Sequence, residues 1–149
     1  MLGKPQPLKV VPLLIPRLGD IAHRLPIEDG LRSSAGLVRP QVGASVAVLE
    51  IALQPDEPSI AVAADWMASQ ELAVVFCLEL GRYSGQRRLL ETLSARCPRR
   101  IVVVMGDPAD EVFAGPGASV LMTFGFQGCQ LTAALRTIFA RGASSGKRL

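Results

Sequence analysis

Residues 72–80 read Leu72-Ala73-Val74-Val75-Phe76-Cys77-Leu78-Glu79-Leu80, nearly continuous in apolarity. Residues 101–105, Ile101-Val102-Val103-Val104-Met105, are the same kind of run. Buried parallel strands look like this, because helices cover both of their faces. Three further runs rich in β-branched residues, 8–15, 45–53 and 119–123, read as strands around them. The first contains Pro12, which has no N–H to give to a ladder. That places it near an edge of the sheet or at a bulge.

Helical patterns lie between the strands. Ile60, Ala63, Ala64, Met67 and Ala68 recur at helical spacing, with Ser59 as candidate N-cap. Leu89, Leu90 and Leu93 do the same over residues 85–96, where Ser84 is the candidate cap and Pro98 closes the helix. Leu131, Ala134, Leu135, Ile138 and Phe139 form the clearest apolar stripe, and Gly142 follows as a stop. Residues 18–44 are less legible. Helical turns over 20–24 and 28–37 compete there with Pro26, Gly30 and Gly36. Alternating strands and helices predict an α/β fold: a three-layer α/β/α sandwich with a mostly parallel sheet of five or six strands and right-handed crossovers.

At 149 residues the chain is one domain, large enough for its own core without a metal or disulfide staple. It is too short for a complete (β/α)₈ barrel, which takes about 250 residues. Residues 1–7 and 143–149 are expected to fray. Cys77, Cys97 and Cys129 show no C-x-x-C spacing and read as reduced thiols. No cofactor or metal is called for. No apolar run reaches the length of a membrane span, and prolines interrupt the N-terminus as a signal peptide. The expectation is a cytoplasmic protein with no membrane partner.

The net charge of +3 hides an asymmetry. Residues 50–81 hold Glu50, Asp56, Glu57, Asp65, Glu71 and Glu79 with no Lys or Arg. Residues 82–104 hold Arg82, Arg87, Arg88, Arg96, Arg99 and Arg100 against Glu91. A nucleic-acid surface would interleave such arginines with exposed aromatics, and only Tyr83 accompanies them. A solvated helix face is the better reading, with no nucleic-acid partner.

Motifs for chemistry are sparse. Gly142 to Lys147 lacks the spacing and the strand-to-helix setting of a phosphate loop. H-E-x-x-H does not occur, and the sole histidine, His23, reads as a surface residue. The best-placed polar cluster is Asp107, Asp110 and Glu111, directly after the fourth strand, with Glu79 and Arg82 after the third. In open α/β sheets ligands bind outside the carboxyl ends of strands. Glu79, Asp107 and Asp110 are therefore the candidate acid–base residues. Arg82, Asp107, Gly125 and Gly128 are the candidate ligand-binding residues, for a sugar or a phosphate-bearing ligand. Asp107-Pro108 as a turn opener, Asp110 as a cap and Gly125 to Gly128 as a packing turn compete with those roles.

Residues 60–149 resemble the C-terminal α/β sandwich domain of glycoside hydrolase family 3, in its β-N-acetylhexosaminidase-like branch. The resemblance runs through Ala63-Ala64-Asp65 before a buried strand, then Gly85-Gln86 opening a helix with Leu89 and Leu90. The strand at 101–105 leads into Asp107-Pro108-Ala109-Asp110, where that branch has an Asn-Pro-Tyr-Asp-like turn. Thr123-Phe124-Gly125-Phe126 is similar to its Thr-Tyr-Gly-Tyr, and Ser145-Gly146-Lys147 to its closing Ser-Gly-Lys. Asp107 and Ala109 depart from the usual Asn and Tyr, and Ser144 stands where Pro is usual. Residues 1–45 match weakly. In this family the nucleophilic Asp lies on an N-terminal barrel. In this branch the acid–base His comes from a barrel loop. The resemblance therefore implies an accessory domain, inactive alone, with a separate or missing barrel as partner and no catalytic residue to carry over. In other branches the second domain adds an acidic residue, for which Glu79, Asp107 and Asp110 are the positions to test. An independent small module binding a sugar or phosphate-bearing ligand is the alternative.

Overall fold

The structure is a computed structural model that describes residues 10–27 and 32–140. The termini expected to fray and the expected stop at Gly142 lie outside the described residues, as does part of the helical turn expected over 28–37. Five parallel strands form one sheet in the order β2-β1-β3-β4-β5. They are β1 (Val11–Pro16), β2 (Val46–Ile51), β3 (Ala73–Cys77), β4 (Arg100–Val104) and β5 (Ser119–Met122). The helices are α1 (Ser34–Val38), α2 (Glu57–Ala68), α3 (Ser84–Arg96) and α4 (Gly128–Leu135), which runs on as a π-helical turn, Arg136–Ala140. Short 3₁₀ segments occupy Leu18–Ile21, Arg39–Gln41 and Pro108–Ala114.

The apolar runs are strands because both faces are covered. Successive side chains alternate between two cores. Leu14, Val75, Cys77, Val102 and Val104 pack with Ile60, Met67, Leu89, Leu90 and Leu93 of α2 and α3. Leu13, Ile15, Val74, Phe76 and Val103 pack on the other side with Val38 of α1 and Leu131, Ala134 and Leu135 of α4. This is the three-layer sandwich.

β1 corrects the expectation drawn from Pro12. It is not at an edge but between β2 and β3. The reason is parity. The Val11 and Arg17 amides, at odd positions, donate toward β2, to the Ser45 and Ile51 carbonyls at 2.8 and 2.7 Å. Even-numbered residues therefore face β3, and both prolines of the strand, Pro12 and Pro16, are even. Their missing donors fall on the β3 side, where pairing shrinks to Leu13 with Val74 and Leu14 with Val75. A central strand tolerates proline here because one ladder stays complete and the other is short.

Two caps also differ from expectation. α2 is capped by Asp56, whose Oδ1 accepts the Ser59 amide at 2.9 Å, and Ser59 lies inside the helix. At α3, Tyr83 holds the N-cap position and Ser84 is the first helical residue. The capping contact comes from a distant loop: Gln54 Oε1 accepts the Gly85 amide at 2.8 Å, and Gln54 Nε2 donates to Ser84 Oγ at 3.2 Å. The charge asymmetry has a structural use, because α2 lies beside α3. Arg88 pairs with Glu57 at 3.0 Å and Arg96 with Asp65 at 2.6 Å. Such exposed pairs are worth about 0–1 kcal/mol each. Arg100 is buried; its guanidinium donates to the carbonyls of Cys97, Ala114 and Pro116 and to Ser94 Oγ.

Two stability outcomes follow from these contacts. A Cβ on Gly85 would run into the Pro55 carbonyl, a backbone atom with no rotamer to escape into. Gly85→Ala is expected to cost about 1–3 kcal/mol by urea unfolding. The two Ser59 hydrogen bonds hold the Asp56 carboxyl below its ordinary value of 3.8. A carboxyl lowered on folding stabilises above its unfolded pKa, and that contribution fades as pH falls through the folded one. Asp56→Ala is therefore expected to lower the urea midpoint at neutral pH. The gap should narrow as the pH falls below 3.8 and on through the lowered folded value.

Candidate functional site

The strand order reverses between β1 and β3, so the carboxyl ends of these two strands flank the crevice where open α/β sheets bind ligands. Here the chain's own polar groups bridge that crevice. Gln86, on the first turn of α3 and 2% exposed, accepts the Leu78 amide at 2.9 Å and donates to the Leu53 carbonyl at 2.7 Å. Asp20 Oδ2, from the 3₁₀ segment after β1, accepts the Leu53 amide at 3.1 Å. The loops leaving β1, β2 and β3 are thus tied across the end of β1.

The candidate acids divide between roles. Asp110 is 7% exposed and its Oδ2 accepts the Leu80 amide at 3.0 Å, which ties the loop after β4 to the loop after β3. Its negative charge adds to burial in pushing the Cys77 thiol pKa up, so that thiol stays protonated. Asp107 is exposed and caps its own 3₁₀ segment, accepting the Ala109 amide at 2.9 Å. Glu79 stands apart. Its backbone is left-handed at φ +52°, its Oε1 accepts from Arg24, and its Oε2 lies 3.7 Å from Arg82 Nε. Arg24 Nη2 also donates to the Tyr83 hydroxyl at 3.0 Å. His23 is exposed, with Nδ1 2.9 Å from the Asp20 carbonyl.

Gly125 borders a cleft of about 560 Å³ beside the end of β5, together with Pro26, Ile27, Phe124, Phe126, Gln127 and Gln130. Gly128 opens α4 and is not among the lining residues. Asp107 and Arg82 are not among them either, so the ligand-binding candidates do not converge on one pocket. Gly125 has a packing reason: the Gln130 carboxamide lies where a Cβ would stand. Gln127 and Gln130 form a reciprocal capping box that satisfies the start of α4 from within the chain. Phe124 is left-handed at φ +60° and 66% exposed. Among the described residues no group of His, Cys, Asp and Glu could hold a metal ion, and no helix is long and apolar enough to cross a membrane.

Two solved structures share this fold. One is a fungal multi-domain family 3 glycoside hydrolase, a β-N-acetylglucosaminidase described with a GCN5-related glucosamine N-acetyltransferase region. It matches 93% of this chain at TM-score 0.66 and 13% identity. The other is a family 3 β-N-acetylglucosaminidase from Paenibacillus sp. str. FPU-7, matching 89% at TM-score 0.67 and 16% identity. The chain spans 15% of the length of the first and 25% of the second. At these identities the likeness is one of fold. The fold resemblance to family 3 enzymes expected from the motifs is present. No protein-family model matches the sequence, and neither does any curated protein.

Arg24, Gln54, Gln86 and Phe124 were not among the sequence candidates. Arg24 and Gln54 have partners 30 or more residues away, Gln86 joins Leu78 to the distant Leu53, and Phe124 is marked by its backbone conformation. The bridging role of Gln86 has a direct test. Gln86→Leu keeps the volume but orphans the Leu78 amide and the Leu53 carbonyl. It is expected to cost at least about 2 kcal/mol in urea unfolding, since each unmet buried group costs about 1–3 kcal/mol. Asp110→Asn, which keeps an acceptor for the Leu80 amide, should cost less than about 1 kcal/mol.

Proposed function

We propose that this chain is an accessory α/β sandwich domain of a family 3-like β-N-acetylhexosaminidase or β-glucosidase. It is non-catalytic alone and supports glycosidic bond hydrolysis with a barrel on the same or another polypeptide. The observation that carries the reading is the commitment of the carboxyl-end acids to structure. A retaining glycosidase needs two available carboxyl groups about 5–5.5 Å apart, one to attack and one to transfer the proton. Asp110 is taken by the buried Leu80 amide and Asp107 by its own turn, so Glu79, in a half-exposed pair with Arg24, has no second free carboxyl to work with. The two fold neighbours, each far longer than this chain and each a family 3 β-N-acetylglucosaminidase, support the same reading.

A docking face is the complement of that argument. Most of the exposed large apolar residues stand in segments that follow strands at the carboxyl end. Leu25 follows β1, Val112 and Phe113 follow β4, and Phe124 follows β5, while Leu49 and Val62 lie on β2 and α2. Val112 is 78% exposed and Phe124 66%, so neither belongs to this chain's own cores. Apolar groups held out of a core mark surfaces that meet a partner. Such a rim would put the sandwich against the mouth of a barrel.

The cleft beside Gly125 favours a second reading, an independent module that binds a sugar or phosphate-bearing ligand. Assay of the purified chain on chromogenic β-N-acetylglucosaminide and β-glucoside tests the first reading, and no turnover is expected. Turnover lost in Asp107→Asn or Glu79→Gln would overturn it. Val112→Asp should leave stability within about 0.5 kcal/mol, as for a surface site.

A further inference from the structure

The cluster around Glu79 sits at the switch point and, among the described residues, contains more positive than negative charge. Arg24 and Arg82 converge on a single carboxylate. Asp20 is engaged elsewhere, by the Leu53 amide and by Arg17 at 3.6 Å. His23, in the same loop, is exposed and faces the Asp20 carbonyl. The side chains of Arg24, Glu79 and Arg82 are 26%, 31% and 55% exposed, so solutes can reach them. The Tyr83 hydroxyl accepts from Arg24 and therefore keeps its own proton to give. Glu79 reaches this position only through a left-handed backbone, which a Glu side chain disfavours.

We propose that Arg24, Arg82 and the Tyr83 hydroxyl form a carboxylate-binding site at the switch point, which Glu79 fills until a small-molecule carboxylate displaces it. Glu79 shows the geometry of the bound group: one oxygen on each guanidinium. A half-exposed ion pair is weak, and the turn is held by the Arg82 and Tyr83 amides on the Glu79 carbonyl, so the side chain can leave without disturbing it. Charge selects the ligand. Two guanidiniums, a nearby displaced Glu79 and one incoming monoanion sum to neutrality, whereas a phosphate dianion leaves an excess of negative charge. This site goes beyond the accessory role and needs no barrel.

The test titrates propionate into the full chain and reads the arginine Nε–Hε signals by ¹⁵N NMR. In Glu79→Gln the dissociation constant should fall about tenfold or more, as one competing charge contact is removed. Adding Arg24→Gln to that variant should abolish the gain. Glu79→Asn, which suits a left-handed backbone, serves as the folded control and should behave like Glu79→Gln. Unchanged propionate affinity in both folded variants would overturn the proposal, as would loss of folding in both, which would make Glu79 a structural residue. Tighter binding of inorganic phosphate than of propionate to the unsubstituted chain, where Glu79 keeps its charge, would overturn the assignment to a carboxylate.

Discussion

The carboxamide of Gln86 closes a gap that the topology creates. With β1 between β2 and β3, the loops that leave β2 and β3 must meet across the end of β1. Their backbone groups have no ladder there, yet they are shielded from water. A glutamine is suited to this place because one side chain offers an acceptor and a donor pair in a fixed plane. It takes the Leu78 amide and gives to the Leu53 carbonyl, and so converts two otherwise unmet groups into one bridge. α3 is positioned by the same contact, because Gln86 belongs to its first turn. The two cores on either face of the sheet then register against helices whose ends are fixed.

The same economy governs the charged groups. Acids and arginines that look like a site when counted along the chain are, in space, fasteners. Glu57 and Asp65 hold α3 to α2, Asp110 holds one loop to another, and Arg100 gathers the turns around Gly115 and Pro116. A catalytic carboxylate must be free to change its protonation or to attack. A carboxylate that is the sole side-chain acceptor for a buried amide is restrained from doing either without loosening the fold. That physical conflict applies to Asp110, which holds the buried Leu80 amide.

The fold was legible in the sequence where burial dominates. The runs at 72–80 and 101–105 can be apolar throughout only because both faces are covered, and the structure places them centrally. Pro12 misled because its consequence depends on which neighbour its missing N–H faces, a matter of parity that the chain alone does not display. The caps misled for a related reason. Ser84 has the right residue type, but the contact is supplied by Gln54 from across a crossover. Of the candidate site, the sequence named acids that lie in the segments after β3 and β4. It did not reveal which acids were already spent, because a hydrogen bond such as Asp110 to Leu80 joins residues of different loops.

What remains distinctive at that edge is strain rather than composition. Among the described residues, Glu79 and Phe124 are the non-glycine positions with left-handed backbones, and both follow strands at their carboxyl ends. Neither conformation is explained by the cores: Phe124 is exposed, and Glu79 opens a turn in which its carbonyl accepts the Arg82 and Tyr83 amides. A strained residue persists where its surroundings over-determine it, and such residues cluster at functional sites. Phe124 presents an aromatic face beside the cleft, and Glu79 fills a cationic recess. The first suits contact with a partner or a ring, the second exchange with another anion. Function in this chain is therefore to be sought in what it holds out at the rim of the sheet, since among the described residues the buried polar side chains, Arg100 Nε apart, are already committed.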